Sequence, residues 1–217
     1  MTDANCAWAQ DPETGAPFLV VVAGPPGVGK TCAVMWFVRG ALPKNPDDVV
    51  PGFEVHLCAA EHAQVDLLDG PEALVDEEPV VVYSELVPRL KRAVGMLALF
   101  DVTQPQSMAD MYAVVERNQR LLDMDDLPPL PFAVLGTHID QADQRVVTTD
   151  EARAAAAEHG ASYAEISALT GENVRAAFTE AIVAFVTAGH PSLNDNTRRQ
   201  RTKRKPRRDL RSGCKHQ

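Results

Sequence analysis

The sequence predicts a three-layer α/β domain with a mostly parallel six-stranded sheet over residues 16–189. Three observations lead there. Phe18–Ala23 (FLVVVA) is an unbroken apolar, β-branched run of strand length, the pattern of a strand buried on both faces. A Gly/Pro loop follows it, and then TCAVMWFVRGAL, which has helix length and apolar spacing. Strand, glycine-rich loop and helix in that order open a parallel sheet, and the alternation continues along the chain.

The remaining elements follow in sequence. Phe53–Ala59 and Gln64–Leu68 read as two strands, with the polar Glu61–His62 between them as a hairpin turn. Val94–Phe100 (VGMLALF) is a further buried strand, Ser107–Leu122 is helical, and Pro131–Gly136 (PFAVLG) is again a buried strand. Asp150–His159 is an alanine-rich helix closed by Gly160, Ser162–Ile166 is a short strand, and Asn173–Thr187 is the last helix. About six strands and five helices fit one domain, with no internal repeat. Residues 1–15 and 190–217 are polar or basic and read as disordered flanks.

Composition agrees with one cored domain plus tails. The chain has 217 residues, 45% hydrophobic and 24% charged, ordinary values for a soluble globular protein. No apolar run approaches the ~18–20 residues of a membrane helix, and MTDANCAWAQDPETG is polar and acidic, unlike a signal peptide. These features place the protein in the cytoplasm. Cys6, Cys32, Cys58 and Cys214 form no CxxC pair or zinc spacing, and Cys32 and Cys58 lie in apolar segments as small buried hydrophobes. The net charge of −9 conceals an asymmetry. Arg198–Gln217 carries ten Lys/Arg against one acid, a net of +9, which leaves the first 197 residues with 11 basic and 29 acidic side chains, a net of −18.

Between the first strand and first helix stands Gly24-Pro25-Pro26-Gly27-Val28-Gly29-Lys30-Thr31, a match to GxxxxGK[ST] in the context that motif requires. Glycines let such a loop turn its backbone N–H groups inward onto a phosphate, and the helix N-terminus adds partial positive charge. Lys30 can reach the β- and γ-phosphates, and the Thr31 hydroxyl can ligate Mg²⁺. The loop alone does not choose a nucleotide, since GPPGxGKT is also common in AAA-type ATPases. This chain, however, lacks an acid-ended DE strand and a helical lid domain.

Two later segments bear on the base. Thr137-His138-Ile139-Asp140 follows PFAVLG, and Ser167-Ala168-Leu169 follows the last strand. Both fall at strand C-terminal ends, where open α/β sheets bind ligands. A carboxylate such as Asp140 can accept two hydrogen bonds from guanine, from N1–H and the exocyclic amine. Adenine offers no such edge, and a site built for paired bonds rejects a base that leaves them unmade.

On these residues the chain resembles the Ras superfamily of small GTPases over about residues 17–188. PFAVLGTHID, ISALTG and TEAI look Rho-like, with TxxD in place of NKxD and SAL in place of SAK, and VVPGFE resembles that branch's YVPTVF. The resemblance implies GTP/GDP as ligand and Mg²⁺ as cofactor. Asp140 then selects the base, His138 stacks over its plane, and the Ser167–Ala168 backbone meets the guanine oxygen, with Thr137 and Leu169 completing the two loops. The Rho-type helix after the base motif is missing, since only Gln141–Val147 separates Asp140 from Thr148.

The switch segments depart from the family. Aligning VVPGFE puts Gly52 where a Mg²⁺-binding threonine is expected, and no threonine occurs between Cys32 and Val102. In place of DxxGQ the chain reads VDLLD followed by Gly70-Pro71-Glu72. Asp69 is the expected Mg²⁺-associated acid, with Asp66 the alternative. Pro71 stands at the water-orienting position and has no N–H to donate; Glu72 is a weak substitute. Pro26 occupies the loop position nearest the γ-phosphate, where its ring narrows the room for attacking water. Intrinsic hydrolysis by Ras itself is about 10⁻⁴ s⁻¹ because positioning is nearly all of the catalysis. The expectation is therefore secure binding and slow or impaired turnover, with no catalytic residue assigned.

The tail RRQRTKRKPRRDLRSGCKHQ ends with a cysteine four residues from the terminus, and a polybasic stretch before such a C-a-a-X box is the usual companion of prenylation at Cys214. Its charge suits an anionic membrane surface at ~1 kcal/mol per basic residue. KRKPRR also reads as a nuclear address, the alternative location. No aromatic residue interleaves the charges, so specific nucleic-acid binding is not expected. Two function classes remain: a GTP/GDP signalling or trafficking switch, and a non-catalytic GTPase-like scaffold that holds nucleotide constitutively. Effectors leave no signature in the sequence.

Overall fold

Six strands form one sheet in the computed structural model, which describes residues 18–42, 88 and 90–189 together with the backbone of strands 54–60 and 63–69. They are β1 (Phe18–Ala23), β2 (Glu54–Ala60), β3 (Ala63–Asp69), β4 (Ala93–Asp101), β5 (Phe132–Thr137) and β6 (Ser162–Glu165). The spatial order is β2-β3-β1-β4-β5-β6. β2 and β3 pair antiparallel, Cys58 opposite Val65, and all other neighbours are parallel. The α/β class and the mostly parallel six-stranded sheet are as the sequence predicts. The expected Glu61–His62 turn lies outside the described residues, as do the flanks 1–15 and 190–217.

Four α-helices have described bounds, α1 (Lys30–Arg39), α2 (Pro105–Asp123), α3 (Thr149–Glu158) and α4 (Val174–Gly189), and Pro88 and Leu90 are helical as well. Boundaries move for local reasons. α2 starts two residues before the predicted Ser107 because Pro105 sits in its first turn, where a missing N–H costs nothing. The buried Ser107 instead locks the turn from β4, donating to Asp101 O at 3.0 Å and accepting from Asp101 N at 2.9 Å. α3 begins after Thr148, whose hydroxyl accepts from Glu151 N–H as an N-cap. Ile166, predicted as strand, lies just beyond β6 but still donates its N–H to Gly136 O at 2.8 Å.

Alternation along the buried strands divides the interior into two layers. Val20 and Val22 of β1, Leu97 and Leu99 of β4, and Ala133 and Leu135 of β5 face α1 and α4. Leu19 and Val21, Met96, Ala98 and Phe100, and Val134 face α2 and α3. Phe37 of α1 stacks on Phe178 of α4 with ring centroids 5.2 Å apart. Burial of each large side chain contributes about 1.5–3 kcal/mol, so a sheet buried on both faces is the main source of stability. Cys32, read as a buried small hydrophobe, is half-buried against the first layer. The order of the sheet reverses at β1, which opens a crevice at the C-terminal ends of the strands.

Candidate functional site

Gly24–Thr31 leaves the end of β1 at that crevice and enters α1. Gly24 has φ +149°, and a Cβ there would lie 2.3 Å from Leu99 O. The first glycine is therefore required twice, by conformation and by the close pass of the loop against β4. The αL residue Gly29 precedes α1, whose N-terminus carries no side-chain cap. Lys30 is 4% exposed, and its ammonium donates to Pro25 O at 2.8 Å, so the charge is held inside the loop. Pro25 is buried, Pro26 and Gly27 are exposed at the crest, Val28 is buried in the core, and Thr31 is half-buried in the first turn of α1. A loop of this shape, with backbone N–H groups, a helix N-terminus and an ammonium in one segment, has the parts from which a phosphate cradle can be built.

The two predicted base loops come together beside it. Thr137 ends β5 fully buried, and its hydroxyl donates to Phe100 O at 2.9 Å, so this side chain anchors the loop. His138 has φ +63°, and its Nδ1 lies 3.0 Å from Thr137 Oγ1 and 3.4 Å from Asp101 Oδ1. Asp140 is exposed, and one of its carboxylate oxygens accepts from Ser167 Oγ at 2.5 Å. Ser167 is buried; its hydroxyl also accepts from Thr170 N–H at 3.0 Å, and its own N–H donates to Glu172 O. Ala168 is buried and Leu169 is 65% exposed. An oriented carboxylate next to a phosphate cradle is suited to a purine with two donors on its edge.

Behind these loops an ion-pair network fastens one to the other. Arg145 donates to Glu165 through both terminal nitrogens, at 3.0 and 2.8 Å, and Thr149 and Tyr163 hydroxyls donate to the same carboxylate at 2.8 Å. Burial alone would push the Glu165 carboxyl up, but the bonds from Arg145, Thr149 and Tyr163 outweigh it and hold it below its ordinary range. Burial, with Glu165 beside it, pushes the Tyr163 phenol strongly up. Asn173 adds a bond from Nδ2 to Glu165 O at 2.7 Å.

The metal assignments divide. Thr31 stands in the first turn of α1, and Asp69 ends β3 in register with Val22, two residues before the phosphate loop. Asp66 pairs with Leu19, three residues deeper in the sheet, so the register places Asp69 nearer the crevice. A hydroxyl and a carboxylate at these positions fit Mg²⁺, a cation that binds through few protein oxygens and takes the rest from phosphate and water. Gly52, Gly70, Pro71, Glu72 and Cys214 lie outside the described residues. A cavity of about 310 Å³ between α2 and α3, bordered by Tyr112, Phe132 and His159, sits at the opposite, N-terminal end of β5.

Sequence reading missed Asp101, a buried acid that accepts from Thr103 N–H and Oγ1 at 2.8 and 2.7 Å and borders His138. Its signal was present: an acid directly after a fully apolar strand, at the end where ligands bind. The Arg145–Glu165 pair left no local signal, because its partners are 20 residues apart.

Comparison with known proteins agrees with this geometry. The chain matches the Ras family over residues 19–187. It is 29% identical over 166 residues to Protein ras-1 of Neurospora crassa, covering 76% of this chain and 74% of that protein. It is 27% identical over 177 residues to Ras-related protein R-Ras of Mus musculus, covering 81% and 77% respectively. It is 29% identical over 177 residues to Ras-related protein RHN1 of Nicotiana plumbaginifolia, covering 81% and 84%.

Proposed function

The chain belongs to the Ras family, and from that premise we propose a guanine-nucleotide switch with Rho-like base loops and slow or impaired GTP hydrolysis. One observation carries the guanine reading: Asp140, fixed by Ser167, stands on the loop beside a phosphate cradle that holds a buried Lys30. Lys30 and the Gly24–Gly29 backbone bind the β- and γ-phosphates, Thr31 and Asp69 hold Mg²⁺, and Asp140 pairs with the guanine edge. Bound Mg²⁺ supplies charge neutralisation between the phosphates.

Slow turnover rests on Gly52, Pro71 and Pro26, which replace a metal-binding hydroxyl, a water-orienting side chain and a small loop residue. The same departures favour a second reading, a scaffold that holds nucleotide constitutively. Single-turnover hydrolysis of bound GTP separates the two: a measurable first-order loss of GTP supports the switch, and none over many hours supports the scaffold. The basic tail with Cys214 supports association with an anionic membrane surface, or else a nuclear address.

Titration with fluorescent GDP, GTP and ATP, with and without Mg²⁺, tests the central reading. Tight binding of GDP and GTP with weak binding of ATP is expected, and equal affinities would overturn the base assignment.

A further inference from the structure

We infer that Trp36 is a positioning residue for guanine recognition, fastening the 167–171 loop to the helix that carries Lys30 and Thr31; the inference rests on the guanine reading above. Trp36 lies on α1, six residues after Lys30. Its indole N–H donates to Leu169 O at 3.3 Å, reaching 133 residues along the chain to the base loop. The ring also lies against the backbone two residues further on. A Cβ at Gly171 would fall 2.6–2.8 Å from three of its ring carbons, and Gly171 has φ +80°. A side chain at 171 would therefore be strained and would displace the indole.

The start of the same helix touches the same loop. A Cβ on Gly29 would lie 3.2 Å from the Cβ of Ala168, so the phosphate loop and the base loop are in contact at that point too. Between the two contacts, Gly171 N–H donates to Ser167 O at 2.9 Å and Thr170 N–H donates to Ser167 Oγ at 3.0 Å. Ser167 in turn holds Asp140. A shift of Leu169–Gly171 is thereby passed through Ser167 to the carboxylate that reads the base. Positioning of this kind affects affinity because a displacement of about 1 Å is enough to lose a directional bond.

Trp36 also packs against the first core layer, so the test needs a readout that core packing would not move. Affinities of the full chain for GDP, ADP and inorganic pyrophosphate are measured for the parent, Trp36→Phe and Trp36→Ala. Trp36→Ala is expected to lose about tenfold in the GDP:ADP affinity ratio while pyrophosphate affinity stays within about twofold. Trp36→Phe, which keeps the ring against Gly171 and loses the N–H, is expected to fall between. An unchanged ratio in Trp36→Ala, or equal losses for GDP and pyrophosphate, overturns the inference while leaving the guanine reading intact. A parent with no preference for GDP over ADP overturns both.

A second measurement does not depend on that variant folding. The chain has two tryptophans, so Trp8→Phe leaves Trp36 as the sole indole emitter. Its emission is expected to change on adding GDP and to stay constant on adding pyrophosphate. Constant emission with saturating GDP overturns the inference.

Discussion

The Ser167 hydroxyl donates to Asp140 across 2.5 Å, joining two loops 27 residues apart in the chain. The bond leaves the carboxylate a preferred orientation before any ligand arrives. Asp140→Ala should remove most of the preference for GDP over ADP, because each charge-assisted bond contributes roughly 1.5–3 kcal/mol. Ser167→Ala should lower GDP affinity, and with it the GDP:ADP ratio, by about tenfold, since the carboxylate must then be ordered on binding. Competition against fluorescent GDP measures both.

Lys30→Ala should abolish detectable nucleotide binding. The ammonium is buried and donates to Pro25 O within the loop, and Lys30 belongs to neither core layer, so the substitution removes phosphate charge pairing and leaves both layers intact. Far-UV circular dichroism should be unchanged, and a folded variant that binds GDP as tightly as the parent would show that the loop is not the phosphate site.

GTP hydrolysis should run at or below about 10⁻⁴ s⁻¹ and respond little to an added arginine finger. Pro26 is exposed at the crest of the loop, where an inserted guanidinium would have to pass its ring. Phosphate release over multiple turnovers is the measurement; a faster rate would point to Glu72 as a catalytic group.

Acid should loosen the base loops through Glu165. Its carboxyl is held below its ordinary 4.5 in the fold, so the folded state favours the charged form. That contribution is fully present above the unfolded-state value and is lost as pH falls from about 4.5 through the lower folded value. Thermal unfolding against pH should show stability declining over that interval, and Glu165→Gln should flatten the decline while lowering stability at neutral pH.

Binding to anionic vesicles should require the last twenty residues, because the −18 body is repelled by the same lipid that attracts the +9 tail. Cys214→Ser and neutralisation of the basic residues within Arg204–Arg208 should each weaken sedimentation with vesicles and together abolish it. The remaining attraction should fall steeply with salt, given screening over ~8–10 Å at physiological ionic strength. Nuclear accumulation that is lost on deleting 198–217 would assign the tail to a nuclear address instead.

What the sequence discloses follows a physical division. Strands such as Phe18–Ala23 and Val94–Phe100 are legible because burial on both faces forces an unbroken apolar run. Gly24–Thr31 is legible because a phosphate cradle is built from contiguous backbone. Asp140 and Ser167 were each visible in short segments, yet the bond between them belongs to the fold. The same holds for Trp36 with Leu169 and Arg145 with Glu165, where neither partner is unusual in its own neighbourhood. His138 was visible as a member of its loop, but its proximity to the buried Asp101 depends on β4 and β5 ending side by side.

The stack of Phe37 on Phe178 sets a condition on how the chain comes off the ribosome. α1 emerges early, carrying Lys30 and Thr31, but the ring that covers its inner face is synthesised about 140 residues later. At roughly 5–20 residues per second that interval is on the order of ten seconds. Val34 and Phe37 have no α4 to pack against throughout it. A nascent chain therefore owns its phosphate loop long before it can clasp a nucleotide, and a premature stop before Phe178 leaves a product with the motif intact and the grip absent.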